Sequence, residues 1–295
     1  MARFDYETLD VFTSRKFAGN PLAVVTDARG LSTADMLTIT REFNYSETTF
    51  VLPPENPENT ARVRIFTIGY EMPFAGHPTV GTSIALARAR KLSGDLKIEL
   101  NTGVFPVRVD LDRAVPYAEF LNPNLPKETG AATEPALIEA ALSLPAGSVD
   151  RGAHRVRRVG AGANFYYARA PLDAVRKAKF NSAAFEAIDF TDMIGVLLYA
   201  EGGEATDATY HVRMFAPGAG IPEDPATGGA AAALPGQIAL SQKLGDGTHR
   251  WVIEQGFELG RPSRIHATVE TAGGAVKSVR IGGEAVFVMQ GQLDF

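Results

Sequence analysis

The sequence predicts an α+β fold in which several short, mostly antiparallel strands surround one apolar helix, twice over. The first basis is a run of small and aliphatic residues, 78–87, that follows Gly76 and His77. Because proline is tolerated in the first turn of a helix, we predict a helix that begins at about Pro78. The run is almost uncharged, which is typical of a helix buried on most sides.

The second basis is a repeat of this design about half a chain later. Arg64-Ile65-Phe66-Thr67 precedes the first helix, and Arg213-Met214-Phe215-Ala216 precedes a second run of small residues, 225–234. Superposing the prolines of the two segments pairs His77 with Asp224. Several matches in the same order and at a similar spacing indicate a duplicated domain.

The elements of the first half follow from apolar spacing and from the turn residues between apolar segments. Ser32 predicts a helix start, because serine accepts hydrogen bonds from the first free N–H groups of a helix. In order, the predicted elements are strands 4–12 and 22–25, helix 32–43, strands 48–52 and 61–67, the central helix from 78, and strands 96–100, 104–111 and 118–121.

The second half follows a proline-rich linker, residues 122–127, and uses the same pattern. Its central helix is rich in alanine, and Pro235-Gly236 within it predicts a kink or a split. The predicted elements are helix 135–144, strands 156–159 and 164–168, helix 183–188, strands 195–199 and 209–216, the alanine-rich helix, and strands 251–254, 263–270, 275–281 and 284–290.

Composition indicates a soluble globular protein. Of the 295 residues, 45% are hydrophobic and 21% are charged, and the formal net charge of −5 is evenly spread. A nucleic-acid surface and a membrane-binding face are therefore not expected. The N-terminus lacks the apolar core of a signal peptide, and no apolar run is long enough to span a bilayer. We expect a cytoplasmic protein.

The sequence contains no cysteine, which excludes disulfides, cysteine zinc sites and racemisation by a pair of thiols. Its five histidines are scattered, with no pair at the spacing of metal ligands, so we expect no metal site. A Gly-x-x-x-x-Gly-Lys loop and a Gly-x-Gly-x-x-Gly motif after a strand are both missing, so nucleotide binding has no support.

Glu47 is the first candidate for acid–base chemistry. It lies at a predicted junction of helix and strand, next to Ser46 and several threonine and aromatic residues, with no adjacent lysine or arginine. In a closed cleft, a carboxylate with such neighbours suits the removal and return of a proton near neutral pH. The alternative is a solvated glutamate at the end of a strand, which its residue type alone favours.

The starts of the two central helices supply the other candidates. A helix N-terminus presents free N–H groups and a partial positive charge, which favour a carboxylate or phosphate ligand. His77 either acts as a general acid or only caps its helix, and Asp224 has the same alternative. If a pseudo-twofold axis relates the halves, both helix starts face one cleft. The groups that converge there are then His77, Asp224 and the amides near Gly76, Gly228 and Gly229.

Six segments, taken together, are specific to one family. They are Asp10-Val11-Phe12-Thr13, Phe17-Ala18-Gly19-Asn20-Pro21-Leu22-Ala23-Val24, Asn44-Tyr45-Ser46-Glu47-Thr48-Thr49-Phe50, Phe74-Ala75-Gly76-His77-Pro78-Thr79, Glu223-Asp224-Pro225-Ala226-Thr227-Gly228 and Gln255-Gly256-Phe257-Glu258-Leu259-Gly260-Arg261-Pro262-Ser263. In this order they resemble the PhzF (phenazine biosynthesis-like) family, and the match extends from near the N-terminus to about Ile265.

The resemblance implies a fold like that of diaminopimelate epimerase, with two pseudo-symmetric domains, each a curved sheet wrapped round a central helix. The final strands are expected to return to the first domain. The domains are then residues 1–121 plus 283–295 and residues 128–282, with the active site between them. The resemblance also implies a homodimer.

The same resemblance implies a cofactor-independent isomerase with a small carboxylate-bearing substrate. In the phenazine enzyme, a glutamate that matches Glu47 moves a proton between carbons of trans-2,3-dihydro-3-hydroxyanthranilate. Residues that match His77 and Asp224 assist it. Substrate-binding groups are expected at Ser46 and at the backbone amides of Gly76, Gly228 and Gly229.

One departure from the family pattern bears on the substrate. Gly229 stands where the family has a serine, so a hydroxyl ligand is lost while the backbone amide remains. Two alternatives stay open beside the isomerase. One is an epimerase that uses Glu47 and Asp224 as its acids in place of thiols, and the other is a non-catalytic metabolite-binding protein on the same fold.

Overall fold

The computed structural model describes residues 2–217 and 220–295. The chain divides into two compact units, a first unit of Met1–Leu121 with Gly282–Phe295 and a second unit of Asn122–Ile281. The helices are α1 (Thr33–Phe43), α2 (Gly76–Arg90), α3 (Pro135–Ala141), α4 (Leu172–Lys177), α5 (Ser182–Phe185) and α6 (Gly228–Ser241).

Strands account for most of the remaining regular structure. In chain order they are β1 (Arg3–Val11), β2 (Asn20–Val25), β3 (Glu47–Leu52), β4 (Ala61–Phe66), β5 (Glu71–Met72), β6 (Gly94–Leu100), β7 (Gly103–Asp110), β8 (Tyr117–Leu121), β9 (Lys127–Gly130), β10 (Arg157–Gly160), β11 (Asn164–Arg169), β12 (Gly195–Glu201), β13 (Tyr210–Ala216), β14 (Ile221–Asp224), β15 (Gly247–Gln255), β16 (Ser263–Ala272) and β17 (Ala275–Asp294).

The first unit is a closed ring of strands around α2. The ring runs β1-β2-β3-β4-β6-β7-β8, and β17 closes it by pairing with both β8 and β1. Residues 76–87 of α2 are all buried, and the helix contacts β1, β2, β3, β6, β7 and β8. At Gly81, an added Cβ would lie 2.6 Å from Leu22 and 2.7 Å from Val11, so the glycine lets the helix approach the sheet closely.

The second unit repeats this plan. Its strands follow the order β9-β10-β11-β12-β13-β15-β16-β17, and α6 contacts β9, β10, β11 and β16. Among the described residues, the parallel strand pairs are β2–β3 and β4–β6 in the first unit and β11–β12 and β13–β15 in the second. Helices α3, α4 and α5 cover an apolar cluster on the other face of its sheet. The predicted α+β class, with strands around a central helix in each half, is confirmed.

Matching contacts in the two units support the predicted duplication. Arg64 and Glu71 form an ion pair in the first unit, with Nη2 and Oε2 2.5 Å apart, and Arg213 and Glu223 form one in the second at 2.7 Å. Each arginine also lies over a phenylalanine ring two residues further along its strand. The repeat found in the sequence is therefore a repeat of side-chain contacts as well.

Buried carboxylates repeat in the same way. Glu99 in β6 accepts backbone N–H bonds from residues 55–56, in the loop between β3 and β4. Glu254 in β15 accepts them from residues 204–205, in the loop between β12 and β13. Each unit thus uses one buried glutamate to satisfy the free donors of an equivalent turn.

The structure corrects the sequence predictions at two central elements. Of the predicted kink or split at Pro235-Gly236, the split is wrong, because helix α6 runs unbroken from Gly228 to Ser241 with Pro235 inside it. The strands predicted at 275–281 and 284–290 are one strand, β17, because pairing with β8 and β1 continues past Gly282. An added Cβ at Gly282 would lie within 2.7 Å of β8 atoms, so this glycine permits close strand contact rather than a turn.

Candidate active site

The first unit buries Glu47 beside His77. Glu47 is the first residue of β3 and pairs with Leu22 in the parallel β2–β3 ladder. Its side chain is only 10% exposed, and Oε2 lies 3.6 Å from Nε2 of His77. The alternative of a solvated glutamate at a strand end is therefore wrong, since this carboxylate is enclosed and faces an imidazole.

His77 is held as a neutral imidazole. It is the second residue of α2, and its burial lowers the pKa to about 3, an effect that a hydrogen bond with the backbone of Pro21 partly opposes. Among the described residues Nε2 has no hydrogen-bond partner, so the bond with Pro21 is made by Nδ1. The carbonyl of Pro21 accepts this proton, and the lone pair of Nε2 is left directed at Glu47.

With this tautomer, Glu47 and Nε2 of His77 can share one proton in a hydrogen bond. A protonated Glu47 is a donor to the free lone pair of Nε2, whereas an ionised Glu47 faces an uncharged ring. The separation of 3.6 Å is longer than a hydrogen bond, so a small shift of either side chain would form one. Chemically, the pair is suited to hold a proton on the carboxyl group and to release it.

The start of α2 adds a site for negative charge. The helix has no side-chain N-cap bond and no acidic residue in its first turn. Its first N–H groups, including those of Gly76 and His77, and the helix dipole therefore favour an anionic ligand. Gly76 is the first residue of the helix, so its backbone N–H, which was predicted to bind substrate, lies at this end.

Ser46 is fixed immediately before Glu47. Its hydroxyl donates to Oδ1 of Asn20, at 2.9 Å, and Asn20 is the fully buried first residue of β2. Because Asn20 and Pro21 are neighbours in the chain, the start of β2 contacts both Ser46 and His77. The segment Gly19-Asn20-Pro21 thus orients two of the predicted site residues, a role that the sequence reasoning did not assign.

In the second unit Asp224 is held by its own hydrogen bonds. It is the buried last residue of β14, and its Oδ2 accepts a bond of 2.5 Å from the hydroxyl of Thr227. Gln255 connects the two, because its Nε2 donates to the Asp224 carbonyl at 2.7 Å and its Oε1 accepts from the Thr227 N–H at 3.0 Å. Sequence reasoning assigned no role to Thr227 and Gln255, although both lie in family segments.

Asp224 is not the N-cap of the second central helix. The N-cap of α6 is Thr227, and the helix begins four residues after Asp224, whereas His77 lies within α2. Superposing the prolines therefore misaligned the repeat, and aligning the helix starts pairs Gly76 with Gly228. Glu223, next to Asp224, is occupied by the ion pair with Arg213 and has a structural role.

Gly228 and Gly229 are the first two residues of α6. This helix also has no side-chain N-cap bond and no acidic residue in its first turn. The second unit therefore presents the same kind of uncapped helix start as the first, with free N–H groups that favour negative charge. The structure gathers Glu47, His77, Ser46 and Gly76 in one unit, and Asp224, Gly228 and Gly229 in the other.

The described residues give two further findings. Within residues 2–217 and 220–295, no group of three or more His, Asp or Glu side chains has an arrangement that could hold a metal ion. No helix in that part of the chain is both long enough and apolar enough to cross a membrane.

Known proteins resemble this chain over nearly its whole length. The family of phenazine biosynthesis-like proteins, PhzC-PhzF, matches residues 9–291. An uncharacterised isomerase of Mesorhizobium japonicum is 42% identical over 98% of each chain. A trans-2,3-dihydro-3-hydroxyanthranilate isomerase of Pseudomonas aeruginosa is 34% identical over 97% of this chain and 98% of its own.

A solved structure agrees with these matches. The crystal structure of a PhzF-family phenazine biosynthesis protein of Bacillus anthracis matches with a TM-score of 0.88 and 25% identity, covering 100% of both chains. The predicted fold class and the predicted enzyme class, isomerase, are confirmed by the structure and by the named relatives. The chain therefore belongs to the PhzC-PhzF family of phenazine biosynthesis-like proteins and is an isomerase of that family.

Proposed function

We propose that the protein moves a proton within a small, unsaturated carboxylate, without a cofactor, in a cleft between its two domains. The observation that carries this proposal is the enclosed carboxylate of Glu47, 3.6 Å from a neutral His77 at an uncapped helix start. The P. aeruginosa relative is named for trans-2,3-dihydro-3-hydroxyanthranilate, and we take this compound as the first substrate to test.

In this mechanism Glu47 carries the proton. Its carboxylate removes a proton from a carbon made acidic by the neighbouring unsaturated system, and the charge left on the substrate is delocalised. The resulting carboxylic acid then returns the proton to a different carbon on the same face, so no atom is gained or lost. The free lone pair of His77 stabilises the protonated form of Glu47 between the two steps.

The other predicted site residues bind and orient the substrate. The helix starts at Gly76 and at Gly228–Gly229 offer N–H groups to its carboxylate. Ser46 and Asp224 are each held by a hydrogen bond, to Asn20 and Thr227, so they are preorganised to contact polar groups of the substrate. Gly229 supplies only its amide at this position.

A test of the proposal replaces the proton carrier alone. In deuterium oxide the proton held by Glu47 is replaced by a deuteron whenever the carboxyl group exchanges with solvent before it returns the proton. With trans-2,3-dihydro-3-hydroxyanthranilate we therefore expect the wild type to produce a partly deuterated isomer. Glu47→Gln should lower the rate of product formation by about 10²- to 10⁴-fold, the usual contribution of a general acid–base. Mass spectrometry of the product gives both the rate and the position of the deuterium.

The control is Glu7→Gln. Glu7 is another partly buried glutamate of the first unit, and it lies on β1 beside the side chain of Arg88. It should retain the wild-type rate. Undiminished exchange in Glu47→Gln would remove Glu47 from the mechanism. No turnover of this compound by the wild type would reject it as a substrate.

The repeat favours a single proton carrier over two equivalent ones. The residue of the second unit that corresponds to Glu47, the first residue of β12, is Gly195. A Cβ at this position would overlap the carbonyl oxygen of Phe215, so no acidic side chain fits there. An epimerase would need a second acid elsewhere, such as Asp224, and inversion at one carbon of the product would indicate that reaction.

We also propose that the protein is a cytoplasmic homodimer. The cytoplasmic location rests on the composition and the homodimer on the family resemblance, and light scattering should then give twice the chain mass of 31.5 kDa in solution. A mass equal to that of one chain would contradict this.

A further inference from the structure

Tyr70 lies in register with Glu47, two strands away. In the antiparallel β3–β4 pair Thr48 is opposite Phe66, so Glu47 is opposite Thr67. In the β4–β5 pair Phe66 is opposite Glu71, so Thr67 is opposite Tyr70. Residues in register across a sheet point to the same face, and two strand spacings separate their backbones by roughly 9 to 10 Å.

That face is the one that looks toward α2. Thr49 has the same orientation as Glu47 along β3, and its hydroxyl lies 2.8 Å from that of Thr82 in α2. Glu47 and Thr67 are buried in this row, whereas Tyr70 is 41% exposed. The row therefore runs from the enclosed carboxylate of Glu47 to the partly exposed phenol of Tyr70.

The turn that carries Tyr70 is tightly held. The hydroxyl of Thr67 accepts the N–H groups of Gly69 and Tyr70, both at 3.2 Å, and the Thr67 N–H donates to the Tyr70 carbonyl at 2.9 Å. Arg41 of α1 donates to the carbonyl of Ile68 at 3.0 Å. Such a turn fixes the direction of its side chains before a ligand arrives.

The phenol of Tyr70 is a hydrogen-bond donor at physiological pH. Partial burial raises its pKa above the ordinary value of 10, and the nearby charge of Glu47 raises it further. The hydroxyl group is therefore protonated while Glu47 is ionised, and it can donate to an oxygen of a substrate that lies over both residues.

We propose that Tyr70 is a positioning residue that binds an oxygen of the substrate distant from its carboxylate. The inference rests on the proposed function, since it assumes a substrate over Glu47, and it adds a residue that selects for a hydroxyl group of that substrate. The Tyr70 hydroxyl selects for that oxygen, while the helix starts bind the carboxylate.

The test uses two ring carboxylates that differ by a single hydroxyl group, 3-hydroxyanthranilate and anthranilate. Calorimetry measures the dissociation constants of both for the wild type, Tyr70→Phe and Ile68→Val, the last a control on the same turn. We expect the wild type to prefer the hydroxylated compound by about five- to tenfold, which is typical of one hydrogen bond. Tyr70→Phe should abolish the preference and keep the affinity for anthranilate, and Ile68→Val should retain both.

Each other result has a definite meaning. A preference that survives in Tyr70→Phe, or that the wild type lacks, overturns the role of Tyr70 and leaves the proton transfer by Glu47 intact. If the wild type binds neither compound, this substrate class and the role of Tyr70 are both overturned. Loss of deuterium exchange in Glu47→Gln, measured separately, tests the proposed function alone.

Discussion

At the scale of single residues, the tautomer of His77 determines what the site can do. Its Nδ1 proton is donated to the Pro21 carbonyl, and its Nε2 lone pair faces Glu47. A positively charged imidazole at this position would instead hold Glu47 ionised and weaken it as a base. Burial of the ring therefore keeps the carboxylate available to accept and to return a proton.

The low pKa of His77 predicts a dependence of stability on pH. In the unfolded chain His77 has a pKa near 6.5, but in the folded protein the value is about 3, so the unfolded state binds the proton first as the pH falls. The contribution of neutral His77 to stability is therefore present above pH 6.5 and is lost below it. Loss of this contribution should lower the free energy of unfolding by about 2 kcal/mol at pH 5 relative to pH 8.

Comparison of the wild type with His77→Gln isolates this effect, because glutamine does not titrate. Urea denaturation at pH 5 and pH 8 measures the free energy of unfolding of both proteins, and other ionisable groups contribute equally to each. The wild type should lose more stability on acidification than the variant. Equal losses would show that His77 is already charged in the folded protein.

The sequence indicated candidate site residues but not the contacts that surround them. Glu47, His77 and Asp224 lie in short segments whose residue types and order are informative by themselves. Tyr70 and the role of Asn20 depend on strand register, which joins residues distant in sequence and follows from the folded sheet. Asp224 was assigned the alternative of an N-cap because aspartate is a common cap, but its carboxylate is bound to Thr227 instead.

At the scale of elements, the turn between β1 and β2 positions residues that contact Ser46 and His77. Gly19 has a φ of +64°, and an added Cβ would overlap the carbonyl oxygen of Val11. The glycine therefore allows the chain to enter β2 directly at Asn20 and Pro21, which contact Ser46 and His77. This turn was predicted from its Gly-Asn-Pro sequence, but its contact with the site was not.

We expect Gly19→Ala to destabilise the protein strongly. The change adds a side chain at a left-handed φ, which costs about 1 kcal/mol, and a clash with backbone that cannot move aside. Gly30→Ala is the matched control, because Gly30 has a φ of +93° but open space around it. Chemical denaturation should show at least about 2 kcal/mol more loss for Gly19→Ala than for Gly30→Ala. Similar losses would mean that the turn relaxes.

Two other elements show why local sequence rules failed. Pro235-Gly236 predicted a kink or a split of the alanine-rich helix, and separate strands were predicted at 275–281 and 284–290. In the structure α6 continues because most of it is buried among strands, and β17 continues because it is paired along both parts of its length. Tertiary packing overrides the local preference in each case.

At the scale of the whole molecule, duplication gave two similar units with different chemistry. The ion pair of an arginine with a glutamate and the glutamate that satisfies a turn occur in both. The glutamate at the start of β3 has a glycine in its place in β12. The architecture was predictable because the same pattern of residues occurs in both halves of the sequence. The replacement of Glu47 by a glycine in the second unit could be recognised only from the strand registers.

The course of β17 has a consequence for folding. Its second part is the strand that closes the first ring, and it pairs with β1 across almost the whole sequence, with Arg3 opposite Asp294. Contacts between residues so distant in sequence form slowly, because a long loop must be ordered before they can be made. Until β17 pairs with β1 and β8, the first ring is open along one edge, and the partly folded protein exposes unpaired strand edges that favour aggregation.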